Sequence, residues 1–124
     1  MIILDYDANA KVAGLRKTLA TFIDIIRAKH PTTPILLVSR LMQSYEFHRD
    51  SYYIQERQDF TEIHTGELKR RREAGDNNIH FLDGTTLFGA DPSECTVDGC
   101  HATDLGFYII AKNMAPVIRN ILNK

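Results

Sequence analysis

The sequence predicts an α/β fold, a parallel sheet with helices on both faces, and three observations carry that prediction. Short apolar runs alternate with long amphipathic or polar segments in the order βαβαβα. The run "ILLV" is apolar at consecutive positions, the composition of a strand buried on both faces. The polar residues of chemical interest fall just after the apolar runs, where parallel sheets gather their ligands.

Taken in order, residues 2–6 form the first strand, apolar at Ile2, Ile3 and Leu4 and ending in Asp5 and Asp7 with Asn9 beyond. Residues 12–29 place Val12, Leu15, Leu19, Phe22, Ile23 and Ile26 at three- and four-residue spacings with charges between, the period of an amphipathic helix. "KHPTTP" stops it and leads into "ILLVS", the second strand, followed by Arg40. Residues 47–74 read as a polar helix closing at Gly75, with the basic run Lys69 to Arg72 in its last turns, where cations suit the helix dipole. "NIHFLDG" is the third strand. Thr103 or Asp104 then caps a last helix whose apolar positions are Leu105, Tyr108, Ile109, Ala111, Met114, Val117, Ile118 and Leu122.

No repeat or linker divides the 124 residues, so residues 1–124 are expected to form a single domain. A formal net charge of −1 offers no electrostatic reason to bind nucleic acid or an anionic membrane. The longest apolar run is far shorter than the roughly 20 residues a membrane helix requires, so no membrane span is expected. His30, His48, His64, His80 and His101 are scattered without ligand spacing and read mostly as surface residues; neither a metal nor a cofactor is expected. Cys95 and Cys100 stand close enough to bridge if the loop between them turns back, and two free thiols fit the sequence equally well. The aromatic and basic stretch "YEFHRDSYYIQERQ" reads as an exposed helix and its approach, or as one wall of a cleft.

The most specific stretch is "TVDGCHATDLG". A spacing of three lets the Asp98 carboxylate hold the Nδ1–H of His101 while Nε2 faces outward, so that the ring can serve as a general base in a fixed tautomer. Asp98-Gly99 is also a common turn pair, and His101 could be a solvated residue beside a helix start. A receiver domain is the other α/β class with an acidic first strand end. It requires a phosphoacceptor Asp ending a buried third strand, whereas Asp50 follows "SYEFHR", and its lysine counterpart Lys112 lies in a helical pattern.

The segments "LDYDANA", "PILLVSR", "FLDGTTLFG" and "VDGCHATDLGF", in that order and spacing, resemble the C-terminal two thirds of the SGNH or GDSL-type serine hydrolases, esterases and acylhydrolases. The resemblance implies a flavodoxin-like three-layer αβα fold, here a truncated βαβαβα portion. It implies that His101 is the general base, Asp98 its orienting acid and Asn9 a side-chain donor of the oxyanion hole, with an ester or O-acyl substrate on a small molecule, carbohydrate or lipid. Asn9 also directly precedes a helix, where an Asn serves as a cap. The family's nucleophile lies in a Gly-Asp-Ser block that this chain does not contain: Ser39, Ser44, Ser51 and Ser93 all stand in other contexts. The expectation is that roughly the first third of the family's domain lies upstream of Met1 and that this chain alone is inactive. A chain so divided leaves its first strand at a sheet edge, which predicts a homo-oligomer formed through Ile2-Ile3-Leu4. The alternative function is a non-catalytic α/β fragment or interaction module.

Overall fold

The computed structural model of the chain describes residues 1–43, 46, 51–90 and 92–123. Its elements are β1 (Ile2–Leu4), α1 (Asp7–Lys29), β2 (Ile35–Val38), α2 (Ser51–Glu73), β3 (Ile79–Leu82), a 3-10 turn (Gly84–Thr86) and α3 (Asp104–Leu122). They divide between two compact units, Met1–Arg40 with Glu56–Leu82, and Leu41–Gln55 with Asp83–Lys124.

The first unit is built on a parallel sheet in the order β1-β2-β3. Ile2 pairs with Ile35 and Ile35 with Ile79, and the register runs on to Leu4–Leu37 and Val38–Leu82. All four residues of β2 are buried, as a central strand of a covered sheet must be. The core joins Leu4, Ile35, Leu37 and Ile79 of the sheet to Leu15, Leu19 and Ile23 of α1 and Phe60 of α2. Each such side chain contributes about 1.5–3 kcal/mol on burial. The helical period of α1 thus places Leu15, Leu19 and Ile23 in the core and Val12 and Ile26 against it, as the pattern foretells, while Phe22 of the same pattern is exposed.

Two arginines fasten this unit outside the core. Arg27 grips the Asp76 carboxylate through Nε (2.7 Å) and Nη2 (3.1 Å), and donates to the carbonyls of Thr33 and Asn78, tying together the loops that feed β2 and β3. Arg71 pairs with Glu67 on its own helix and with Asp24 on α1, and donates to the Ala20 carbonyl, so α2 is hydrogen-bonded to α1 as well as packed on it.

The expected boundaries move in informative ways. β1 ends at Leu4 rather than at residue 6, because Asp7 opens a helical turn. The helix expected from residue 12 is preceded by that turn, and Lys11 separates the two with φ 59° and ψ 167°. α2 begins at Ser51, and residues 47–50 of the expected helix lie outside the described residues.

In the second unit the chain leaves β3 through the 3-10 turn, where Asp83 Oδ1 accepts from the Thr85 N–H and hydroxyl. Leu87, Phe88 and Cys95 are buried, and Asn113 of α3 donates to the Leu87 carbonyl at 2.9 Å. On α3 the apolar pattern overstates burial. Leu105, Tyr108 and Leu122 are exposed, while Gly106 and Ile121 are the buried positions. No helix among the described residues is long and apolar enough to cross a membrane.

Candidate active site

The loop before α3 is organised by one carboxylate. Asp98 Oδ1 accepts from the backbone N–H of Cys100 (2.9 Å) and of His101 (2.8 Å), while Oδ2 stands 2.7 Å from His101 Nδ1. A spacing of three residues is what lets one short side chain reach both the backbone and the ring. Gly99 turns the tip with φ 84°, a conformation that costs a residue with a Cβ. An antiparallel bridge between Thr96 and Ala102, with Val97 N–H on the His101 carbonyl at 2.9 Å, closes the loop below.

The electrostatics follow from these contacts. The backbone N–H of His101 first, then its ring and the N–H of Cys100, hold the Asp98 carboxyl down to about 2. With Nδ1 engaged, the neutral ring carries its proton there and presents Nε2 as an acceptor. The His101 side chain is 77% exposed, so that acceptor faces outward. Exposed apolar residues, Val97, Leu105, Phe107 and Tyr108, belong to the same unit.

α3 anchors this loop at its other end. Thr103 is the N-cap, its Oγ1 accepting from the Gly106 N–H at 3.0 Å and donating to the Glu94 carbonyl at 2.9 Å. Its own N–H donates to the Cys95 carbonyl, also at 2.9 Å. Gly106 lies so close to the Cys95 carbonyl that a Cβ there would overlap its oxygen. The Gly that follows the Asp-x-x-His block therefore has a steric reason to be a glycine.

Asn9 belongs to the first unit. It lies inside the turn that opens α1, its N–H donating to the Tyr6 carbonyl, and its exposed side chain makes no hydrogen bond among the described residues. The expected capping role is absent: Tyr6 occupies the N-cap, without a side-chain cap bond. Two residues on, the Lys11 backbone sits in a region that is essentially glycine's, and such outliers cluster at functional sites.

A second histidine pair escaped the sequence reading. Asp7 and His64 are both fully buried, with His64 Nε2 at 2.8 and 3.0 Å from the two carboxylate oxygens. Asp7 Oδ2 also accepts from the Arg40 N–H at 3.1 Å, just past the end of β2. The His64 ring stacks on Phe81 of β3, and its Nδ1 has no hydrogen-bond partner among the described residues. Burial of Asp7 and His64 corrects the reading of the histidines as surface residues for His64, while His30 and His101 are exposed. The signal was the stripe Phe60-His64-Leu68, four residues apart on one helical face. Asp5, exposed over much of its surface, has its carboxyl raised by desolvation and then by the nearby Asp7 charge, with His64 opposing.

The remaining sequence candidates have local explanations. Ser39 is buried, and Ser93 is exposed in the turn after residue 91. Cys95 and Cys100 are free thiols, and the Gln43 amide donates to Cys100 Sγ at 3.2 Å. Among the described residues no group of three metal-ligating side chains assembles. Lys112 lies within α3, not at a strand end as a receiver domain requires. His48 and Asp50 lie outside the described residues, as do Ser44 and most of "YEFHRD".

Three comparisons with known proteins bear on this arrangement. The model of the GDSL-like lipase/acylhydrolase family matches residues 1–119. A crystal structure of a candidate GDSL-like lipase from Bacteroides ovatus is 27% identical, with a TM-score of 0.85 over 98% of this chain and 35% of that one. A salicylyl-acyltransferase from a tetracycline biosynthetic pathway is 24% identical (TM-score 0.56, 86% of this chain, 33% of that chain). A candidate platelet activating factor from Streptococcus pneumonia is 18% identical (TM-score 0.59, 86% and 51%). The last two are similar in fold alone. This chain spans about a third to a half of the length of these three proteins. No curated protein matches the sequence.

Proposed function

Because the chain belongs to the GDSL-like lipase/acylhydrolase family, we propose that it supplies the base, the orienting acid and one oxyanion donor of a Ser-His-Asp ester hydrolase. The nucleophilic serine comes from outside this chain. The receiver reading falls with the same family match. The observation that carries the proposal is the 2.7 Å contact between Asp98 Oδ2 and His101 Nδ1, beside an exposed ring edge.

In this mechanism a serine hydroxyl oxygen attacks the carbonyl carbon of an ester or O-acyl substrate, and His101 Nε2 takes the hydroxyl proton. Asp98 holds Nδ1–H and stabilises the imidazolium that forms. The Asn9 amide donates to the carbonyl oxygen as it becomes an oxyanion, an interaction stronger in the transition state than in the substrate. Collapse expels the alcohol, which takes the proton back from Nε2, and leaves an acyl-enzyme. Water, deprotonated by the same ring, then attacks the acyl carbon, and the serine oxygen leaves with the proton from Nε2 as the acid is released. The substrate class is an ester of a small molecule, carbohydrate or lipid.

None of the chain's four serines follows Gly-Asp, and this favours a second reading, an interaction module that keeps the family fold without chemistry. Two experiments separate the readings. Purified chain mixed with p-nitrophenyl acetate should give neither an acyl-enzyme burst nor a His101-dependent turnover; a burst lost in His101→Ala would require a nucleophile within the chain. Reading the coding sequence in frame ahead of Met1 should then find Gly-Asp-Ser after an apolar strand. Its absence there would favour the module.

A further inference from the structure

The turn that carries Asn9 meets the core through the partly buried Tyr6 and Ala10, contacts that set no direction. Its residues Ala8 and Asn9 are exposed, and Lys11 leaves it through a left-handed backbone angle, φ 59°. Its directional ties come from the residue at its start. Asp7 is fully buried, and its carboxylate reaches two elements at once, the Arg40 N–H just past β2 and the His64 ring on α2. His64 is in turn held by its stack on Phe81 of β3, with ring centroids 5.7 Å apart.

We propose that Asp7 and His64 are positioning residues for the oxyanion donor, a buried staple that sets the Asn9 turn against the carboxyl ends of β1 and β2. The chemistry explains the choice of groups. A turn held by the link at Asp5 and by the apolar contacts of Tyr6 and Ala10 could still rotate. A carboxylate accepting one bond from a strand end and another from a helix fixes both the position and the rotation of the turn. Fixing it matters because an oxyanion donor is effective only when it needs no reorganisation as charge develops. An apolar residue at position 7 would bury as well but would leave the Arg40 N–H without its acceptor.

This proposal rests on the reading of Asn9 as the oxyanion donor, and its test requires no catalysis. Amide hydrogen exchange on the chain itself reports the turn through the Asn9 and Ala10 N–H groups, which donate to the Tyr6 carbonyl at 3.1 and 2.9 Å, and reports the sheet through Ile35 and Leu37. The combined Asp7→Leu and His64→Leu change replaces a buried polar pair with apolar groups, which keeps a core packed. The expected result is exchange at Asn9 and Ala10 at least tenfold faster, with Ile35 and Leu37 near the parent. His64→Gln, whose amide nitrogen stands in for Nε2, should keep the turn protected. Unchanged protection at Asn9 and Ala10 in the double variant would overturn the proposal. So would a loss spread equally over β2, which would make the pair a prop of the whole sheet. A failure of ester hydrolysis in any form of the protein would leave these exchange rates untouched and count only against the catalytic reading.

Discussion

Replacing Gly106 with alanine should displace the Asp98–His101 loop, and the size of the effect can be worked from contacts. A Cβ at this position overlaps the Cys95 carbonyl oxygen and lies 3.0 Å from the carbonyl carbon and 3.2 Å from Ala102 Cβ. Carbon atoms attract at roughly 3.5–4.0 Å, and the main obstacle is backbone, which cannot swing aside as a long side chain can. Relief requires the 94–95 segment to move away from α3. That movement breaks the bonds from Thr103 N–H to the Cys95 carbonyl and from Thr103 Oγ1 to the Glu94 carbonyl. Two such bonds are worth about 0.5–1.5 kcal/mol each, and residual overpacking costs about 1–3 kcal/mol more. The helix propensity of alanine returns about 1 kcal/mol. The net is a destabilisation of about 3 kcal/mol, which lowers a urea midpoint by about 1–3 M at the m-values of small proteins. Urea unfolding followed by far-UV circular dichroism measures it, and the Asp98 carboxyl resonance reports the loop directly. A parent-like midpoint with an unchanged Asp98 titration would refute the idea that this glycine seats the loop.

Three further outcomes are expected. The folded Asp98 titrates at about 2 rather than at the ordinary 3.8, so its bonds stabilise the loop above about pH 4 and are lost as pH falls through about 2; carbon NMR should show that midpoint, and a midpoint near 3.8 would contradict the hydrogen-bond assignment. Lys11→Gly should raise stability by about 1 kcal/mol, since relief of about 1–3 kcal/mol of backbone strain exceeds the entropic cost of a glycine; a loss of similar size in thermal unfolding would show that the backbone is unstrained. Among the described residues β1 pairs with β2 alone, and Ile3 is 40% exposed, so the chain should self-associate through this edge; light scattering over a dilution series should show a dimer or larger that Ile3→Lys dissociates, and a monomer at every concentration would show that the edge is closed otherwise.

What the sequence disclosed and what it hid divide along the range of the interactions involved. Strand β2 and the buried face of α1 are written in neighbouring residues, so period and composition reveal them. The Asp98–His101 contact is equally local, because the partners stand three residues apart and one carboxylate serves both backbone and ring. The Asp7–His64 pair spans 57 positions, and nothing near His64 in a largely charged helix announces a buried carboxylate. Its one local trace, the Phe60-His64-Leu68 stripe, shows that the face is inward without showing its partner. Exposure of Leu105, Tyr108 and Leu122 was hidden for a related reason: an apolar period marks a face that favours burial and does not say what covers it. The first strand ends at Leu4, and the turn that follows opens at a buried Asp7 whose partners lie far along the chain.

His101, oriented by Asp98, is proposed as the base for a serine that this chain does not contain. That role can be read out by joining the chain behind the Gly-Asp-Ser-bearing segment of a family hydrolase and recording pre-steady-state release of p-nitrophenol from p-nitrophenyl acetate. The expected result is an acyl-enzyme burst stoichiometric with the fused protein. His101→Ala should slow it by at least about 10³-fold, the scale of losing a triad member, and Asp98→Asn should also slow it strongly with the fold intact. A burst of parent rate and amplitude in His101→Ala would show that His101 is not the base.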